Sequence, residues 1–410
     1  MTQQILRNAR IFDSMTGRVG EPASILVIDG KISAVMPAGS PVPAGESVDL
    51  GGRVVLPGLI DCHVHVMAVH HDVWQLSMQP PSYITAQARH VLEGMLDRGF
   101  TTVRDAAGAD YGVQLAIERG FLRGPRLFFA GAPLSQTGGH ADIRPRGVQE
   151  FICTCAGLGL FPALADGVPE VRRAVREQLR SGANQIKIMA GGGVASPTDP
   201  IDGTQYSLEE LTAACEEATA ANTYVMAHAY SPRSITRAVQ CGVRSIEHGN
   251  LLDEDSAKAM KTQGAYLVPT LSTYAVLGEE GKRLMWSPEQ LVKLDRVKDA
   301  GTQAIAIAKA HGVPIAFGTD LLGAMHPQQS IEWRLRSGVQ TAVEILQSAT
   351  SVAAKLLNQE GKLGVIAPGA HADLVVVNGD PTADITVLCD PANALAGVMK
   401  AGVWERALRG

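Results

Sequence analysis

Aromatic rings, cysteines, a dominant charge and long apolar runs are all scarce in this sequence, and each shortage removes a class of function. Phe, Trp and Tyr make up 5% of the chain, and 36 Lys and Arg stand against 41 Asp and Glu, a formal net charge of -5. The cations are scattered, so the basic stripe with interleaved aromatics that nucleic-acid binding requires is missing. Six cysteines (Cys62, Cys153, Cys155, Cys215, Cys241 and Cys389) are too few and too dispersed in 410 residues for a disulfide framework. Cys153 and Cys155 form a C-x-C, but no second pair or nearby histidine completes a zinc-ribbon spacing. No apolar run is long enough to span a bilayer, and the start, "MTQQILRNARIF", lacks the parts of a secretory leader. The expectation is a cytoplasmic protein with neither membrane nor nucleic acid as partner. A G-x-S-x-G nucleophile motif is absent too, as is any glycine between residues 63 and 75, where a doubly wound sheet would carry its phosphate loop.

What is there is an ordinary globular composition, 46% hydrophobic, in a chain long enough for one large barrel with an appendage. The first 55 or so residues alternate short β-like runs ("QILRNARIF", "SILVIDGKISAVM", "SVDLGGRVVL") with Gly and Pro turns. The last 50 read alike, through "KLGVIAPGAHADLVVVNG" and "AGVMKAGVWERAL". Both ends are expected in one sheet module.

Between them, apolar runs rich in β-branched residues alternate with amphipathic helical patterns. The runs are "IDCHVHV", "TTVRDA", "RLFFAG", "QIKIMA", "TYVMAHA", "RSIEHG", "AYLVPT" and "PIAFGTD". Eight strands separated by helices predict a (β/α)8 TIM-type barrel. The expected division is residues 1–57 and 358–410 as the two parts of a small β-sandwich, with 58–357 as the barrel. Helix signals agree: "SLEELTAACEEATAAN" opens on Ser207 as N-cap, and "PRSITRAVQCG" stops at Gly242. The long connection from Gly131 to Asp166 is expected to be a lid or substrate loop.

His63 and His65 lie one residue apart, and alternate residues of a strand share a face, with roots about 7 Å apart. With 11 histidines in the chain, an H-x-H arises by chance about 0.3 times. The motif therefore needs support, and the other strands supply it. Their ends carry Lys187, His228, His248 and Asp320, so six potential metal donors fall at the carboxyl ends of five strands. In a barrel those ends form the catalytic rim, which gathers residues as distant as 63 and 320. Lys187 is the odd member, flanked by Ile186 and Ile188. An unpaired ammonium inside a barrel is costly and tends to shed its proton. The neutral amine can take up CO2 as a carbamate, whose two oxygens can bridge two metals.

With "PGLIDCHVHV", "QIKIM", "AHAY", "EHGN" and "GTD" in order, and "GKLGVIAPGAHADLVVV" near the end, the chain resembles the amidohydrolase superfamily in its binuclear form with a carbamylated lysine. The resemblance covers nearly the whole chain. It implies that His63, His65 and Asp320 hold one divalent ion, that His228 and His248 hold the other, and that carbamylated Lys187 and a hydroxide bridge them. Imidazole and carboxylate donors fit Zn²⁺, so two zinc ions are the expectation. The implied reaction is hydrolysis of an amide by the bridging hydroxide, with Asp320 moving the proton to the departing amine.

Within the superfamily the chain looks most like the imidazolonepropionase-related branch of Xaa-Pro dipeptidases (prolidases) and carboxypeptidases, through "LSQTGGHAD" and Tyr230. That likeness makes His140 and Tyr230 substrate contacts and suggests a homo-oligomer. The expected substrate is a dipeptide or N-acyl amino acid, cleaved at the bond to its C-terminal residue. Amide-linked toxins with a C-terminal amino acid and imidazolonepropionase-like cyclic amides stay open as alternatives. Arg144, Arg146 and Arg233 are candidate clamps for the substrate carboxylate. His326 is expected near the pocket, and His70 and His71 in the first loop.

Overall fold

The computed structural model describes residues 2–41, 43–144, 146–149, 161–196, 199–280 and 287–409. Five strands precede the histidine pair: β1 (Gln3–Asp13), β2 (Arg18–Ile28), β3 (Lys31–Pro37), β4 (Glu46–Asp49) and β5 (Val54–Pro57). Among the described residues nine short strands follow through the middle of the chain: β6 (Leu59–Val64), β7 (Phe100–Asp105), β8 (Arg126–Phe129), β9 (Leu134–Ser135), β10 (Ala163–Leu164), β11 (Ile186–Met189), β12 (Val225–Ala229), β13 (Ser245–His248) and β14 (Tyr266–Val268). The chain ends with β15 (Leu374–Val377), β16 (Leu395–Lys400) and β17 (Val403–Arg406).

The two chain ends do share one sheet. Its order is β17-β16-β15-β5-β1-β2-β3, with β4 also paired to β1. It curls around a core that includes Leu6, Ile25, Ile32, Val55, Leu374, Val376 and Met399. Position sets the burial pattern. The terminal strand β3 alternates exposed and inward residues, whereas all four residues of the interior strand β15, "LVVV", are buried. Gly58 joins this sheet to the barrel and donates to Asp373 O at 2.7 Å. A Cβ there would lie 2.0 Å from Thr101 Oγ1, so the close approach of sheet and barrel needs glycine at this point.

The barrel wall is parallel throughout. β6, β7 and β8 pair in order, as do β11, β12, β13 and β14. Asn184 N donates to Phe129 O and bridges β8 to the start of β11. The eighth predicted run closes the cylinder through hydrogen bonds rather than as a full strand: Leu267 N to Pro314 O, Ala316 N to Leu267 O, Cys62 N to Phe317 O and Asp320 N to His63 O. The pair β9 and β10 was not expected; β9 pairs with β11 through Leu134 and Ile188. Two-residue strands carry no period for a sequence reading to detect.

Helices form where their caps dictate. Ser207 accepts from Glu210 N in a capping box that opens Leu208–Ala220. Pro232–Gln240 ends ahead of Gly242, whose φ of 102° is open to glycine. Among the described residues no helix is long and apolar enough to cross a membrane. Cys153 and Cys155 lie outside the described residues.

Candidate metal centre

The six candidate metal donors and the two candidate substrate contacts line one cavity of about 880 Å³ at the carboxyl ends of the barrel strands: His63, His65, Lys187, His228, His248 and Asp320, with His140 and Tyr230. His63 sits near the end of β6 and His65 just beyond it, with ring centroids 5.4 Å apart. Ligand-type atoms of His63, His65 and Asp320 all lie within 4.8 Å of one another. Across the cavity the His228 and His248 rings are 4.7 Å apart, and His248 lies 4.9 Å from His63. His248 and Asp320 both adopt left-handed backbone, with φ of 71° and 55°. That conformation is uncommon outside glycine and collects at functional sites.

Free lone pairs decide whether this set suits divalent ions. His63 presents Nδ1 to Glu247 Oε2 at 2.6 Å, which leaves a buried Nε2 without a hydrogen-bond partner among the described residues. His65 uses Nδ1 on Ala107 O, so its Nε2 faces Asp320 Oδ1 at 3.1 Å. His228 donates Nε2–H to Gly192 O at 3.0 Å, freeing Nδ1. His248 Nδ1 lies 2.8 Å from Thr270 Oγ1. Each imidazole thus has one nitrogen held by the protein and the other available, the arrangement found around metal-binding histidines. The donor set fits.

Burial dominates the electrostatics. Desolvation, with Lys187 nearby, holds His63, His228 and His248 well below the ordinary histidine range, so they are neutral donors. Burial opposes charge on His65 as well, but Asp320, Asp105 and the Ala107 carbonyl hold it above its usual value. The Asp320 carboxyl is pushed up by burial, yet His63, His65 and Lys187 prevail and keep it below the usual carboxylate range. Lys187 is 2% exposed and makes no hydrogen bond or salt bridge among the described residues. Burial lowers it to about 8, within reach of a neutral amine at physiological pH. The Tyr230 phenol is pushed up by burial and bonds Tyr274 OH at 2.8 Å, so it stays protonated.

The remaining candidates separate cleanly. Arg146 and His71 line the cavity, whereas His70 does not. Arg144 is taken by Asp142 at 2.6 and 2.7 Å, and exposed Arg233 reaches Asp202 O away from the cavity. His326 does not line the pocket as expected. The 3-10 turn Gly323–Ser330 directs it into the protein, where Nε2 meets Ala68 O at 3.0 Å and burial lowers its pKa to about 4.

Sequence reading overlooked a buried support behind the donors. Arg104 on β7 bonds Glu247 at 2.9 and 3.1 Å, Ser245 Oγ at 3.0 Å and Cys62 O at 2.6 Å, with both charged side chains fully buried. A charge between two isoleucines singled out Lys187; Arg104 and Glu247 each have a polar neighbour, Asp105 and His248, so the signal there was weaker.

Residues 54–404 match the amidohydrolase family. An ochratoxinase of Aspergillus niger is 34% identical over 403 residues, covering 93% of this chain and 83% of the relative. A prolidase solved with N-methylphosphonate-L-proline superimposes with a TM-score of 0.96 at 46% identity over 100% of both chains. A Xaa-Pro dipeptidase solved with methionine in its active site gives a TM-score of 0.89 at 31% identity, covering 98% of this chain and 99% of that one.

Proposed function

The chain belongs to the amidohydrolase family, and from that premise we propose that it releases the C-terminal amino acid from dipeptides or N-acyl amino acids, with Xaa-Pro dipeptides foremost. The observation that carries this reading is the meeting, in one cavity, of the six candidate donors with His140, Tyr230 and Arg146. Donors alone would suit many reactions. Polar groups beside them that fit a carbonyl and a carboxylate point to an amino-acid amide.

In this reading His63, His65 and Asp320 would hold one divalent ion, His228 and His248 a second, and Lys187 would serve both as its carbamate. Divalent ions bound there, zinc in this reading, would supply nucleophile activation at neutral pH and polarisation of the scissile carbonyl. Asp320, kept ionised by His63, His65 and Lys187, takes the proton and passes it to the departing amine. Tyr230, which stays protonated, donates a hydrogen bond to the substrate near that carbonyl, and His140 contacts the substrate beside it. Arg146 pairs with the terminal carboxylate, and its guanidinium geometry favours a two-pronged contact.

The similarity to ochratoxinase, with the apolar wall of Trp74, Met189, Val194, Leu277 and Leu322, favours a second reading in which a bulky acyl group replaces the N-terminal residue. One experiment tests both. Metal content is determined by elemental analysis, and hydrolysis is followed on a panel of dipeptides, N-acyl amino acids and aromatic amides of amino acids. Wild type is compared with Lys187→Ala and Asp320→Asn. About two metals per chain, with release of the C-terminal residue lost in both variants, is the expected result. A single metal per chain and full activity in Lys187→Ala would remove the binuclear reading.

A further inference from the structure

His140 is held on every side by groups that its proposed contact with substrate does not account for. One ring face stacks on His228, with centroids 4.2 Å apart and planes at 22°. The ring also packs against Gly193, where a Cβ would fall 1.9 Å from His140 Cε1. The His140 backbone N–H donates to Gln205 Oε1 at 2.9 Å, and Gln205 Nε2 donates to Asp199 Oδ2 at 2.9 Å. The same Asp199 oxygen accepts from Gly193 N at 3.0 Å and lies 3.8 Å from His140 Nδ1.

Two polar atoms are left over. Asp199 is 6% exposed; its Oδ1 has Lys293 Nζ at 4.0 Å but, like His140 Nδ1, is buried without a hydrogen-bond partner among the described residues. A buried acceptor and a buried ring nitrogen on facing groups, both unsatisfied, are costly apart and complementary together. The loop carrying Asp199 is fastened from outside. Lys293, on helix Pro288–Lys298, donates from Nζ to the carbonyls of Gly193, Ser196 and Asp199 at 3.2, 2.9 and 2.5 Å.

We propose that Asp199 is the positioning partner of His140, and that Lys293 is the pin that keeps it in place. With substrate bound, the ring turns slightly so that Nδ1–H donates to the Asp199 carboxylate. Nε2 then faces the substrate, in a direction set by Asp199. Neither residue touches substrate; both act through His140. The inference rests on the reading of His140 as a substrate contact.

The test is a double-mutant cycle on the metal-loaded enzyme with a hydrolysed dipeptide, using His140→Ala, Asp199→Asn and the double variant. Metal content and thermal midpoint are followed alongside. Asp199→Asn is expected to lower kcat roughly 100-fold, the scale of a misplaced catalytic contact, with KM and metal content near wild type. The double variant should be no slower than His140→Ala alone, because residues acting as one unit are not additive. Lys293→Met should lose kcat in the same way, and Lys293→Arg should recover part of it. If Asp199→Asn does not accumulate as folded protein, the cycle of Lys293→Met with His140→Ala decides. Effects that multiply independently, or an unchanged kcat in Asp199→Asn, overturn the proposal while leaving the reaction assignment intact. Full activity in His140→Ala instead removes the reading beneath it.

Discussion

His63 and Glu247 meet at 2.6 Å between Nδ1 and Oε2, both side chains being essentially inaccessible to solvent. The carboxylate accepts the ring proton and so directs the Nε2 lone pair into the cavity. Arg104 fixes the carboxylate in turn, through both of its oxygens. Glu247→Gln keeps the shape but weakens the acceptor. Metal affinity is expected to fall about 10- to 100-fold, read by competition with a chromogenic chelator. An affinity equal to wild type would show that Glu247 only fills space.

Lys187 lies in the same barrel interior, where burial outweighs the pull of Glu247 and Asp320 on its ammonium and no hydrogen bond or salt bridge holds it among the described residues. Lys187→Ala is expected to lose bound metal and activity together, and a short carboxylate such as propionate should restore part of both by entering the space of the carbamate. Elemental analysis and turnover, with and without propionate, check this. Loss of activity with metal fully retained would assign Lys187 a different task.

The contrast between Lys187 and Asp199 shows what the sequence could reveal. A lysine between two isoleucines violates the apolar pattern of a strand, so its oddity is local and visible. Arg104 and Glu247, in "TTVRDA" and "RSIEHG", each stand beside another polar residue near a strand end, where a charge is less conspicuous. Barrel strands were legible because β-branched runs mark them, and strand ends then placed the donors on one rim. Asp199 and Lys293 sit in a loop and on an exposed helix, where charge is ordinary. Their pairing depends on how the segment after β11 folds back, with Gly191 bridging Thr204, and no period encodes that path. His326 misled for a related reason: proximity to the eighth run gave no hint of the turn that points it inward.

Glu332 gives a pH-dependent test away from the metal donors. Its Oε2 accepts from Ser272 N and Oγ at 2.7 and 2.6 Å, while Oε1 is buried without a hydrogen-bond partner among the described residues. Burial pushes its carboxyl from 4.5 up to about 7 against the pull of Arg336. The folded state therefore holds this proton more tightly than the unfolded chain. The resulting stability is full below about 4.5, is lost as pH rises to about 7, and changes no further above that. Glu332→Gln cannot lose a proton, so its thermal midpoint should gain on wild type across that window. Melting curves at matched pH values check it, and a constant difference between the two proteins would sink the assignment.

Arg146 is the last element whose role can be isolated. Among the described residues lining the cavity it and Lys187 are the cations, and Arg146 stands exposed at the opening while Lys187 is buried within. Arg144 is committed to Asp142 and Arg233 to a carbonyl outside the cavity, so neither is available to a substrate carboxylate. A contact with the terminal carboxylate is made equally in the ground state and the transition state, because the reacting carbonyl lies on the other side of the departing residue. Its loss is then expected in KM rather than kcat. Arg146→Met removes a two-pronged, charge-assisted contact worth about 3 kcal/mol, so KM should rise on the order of 100-fold. The decisive comparison uses a substrate whose terminal carboxylate is replaced by an amide. Wild type and variant should bind that substrate alike, since the charge recognised by Arg146 is gone. A variant that lost ground equally on both substrates would show Arg146 acting on the loop rather than on the carboxylate.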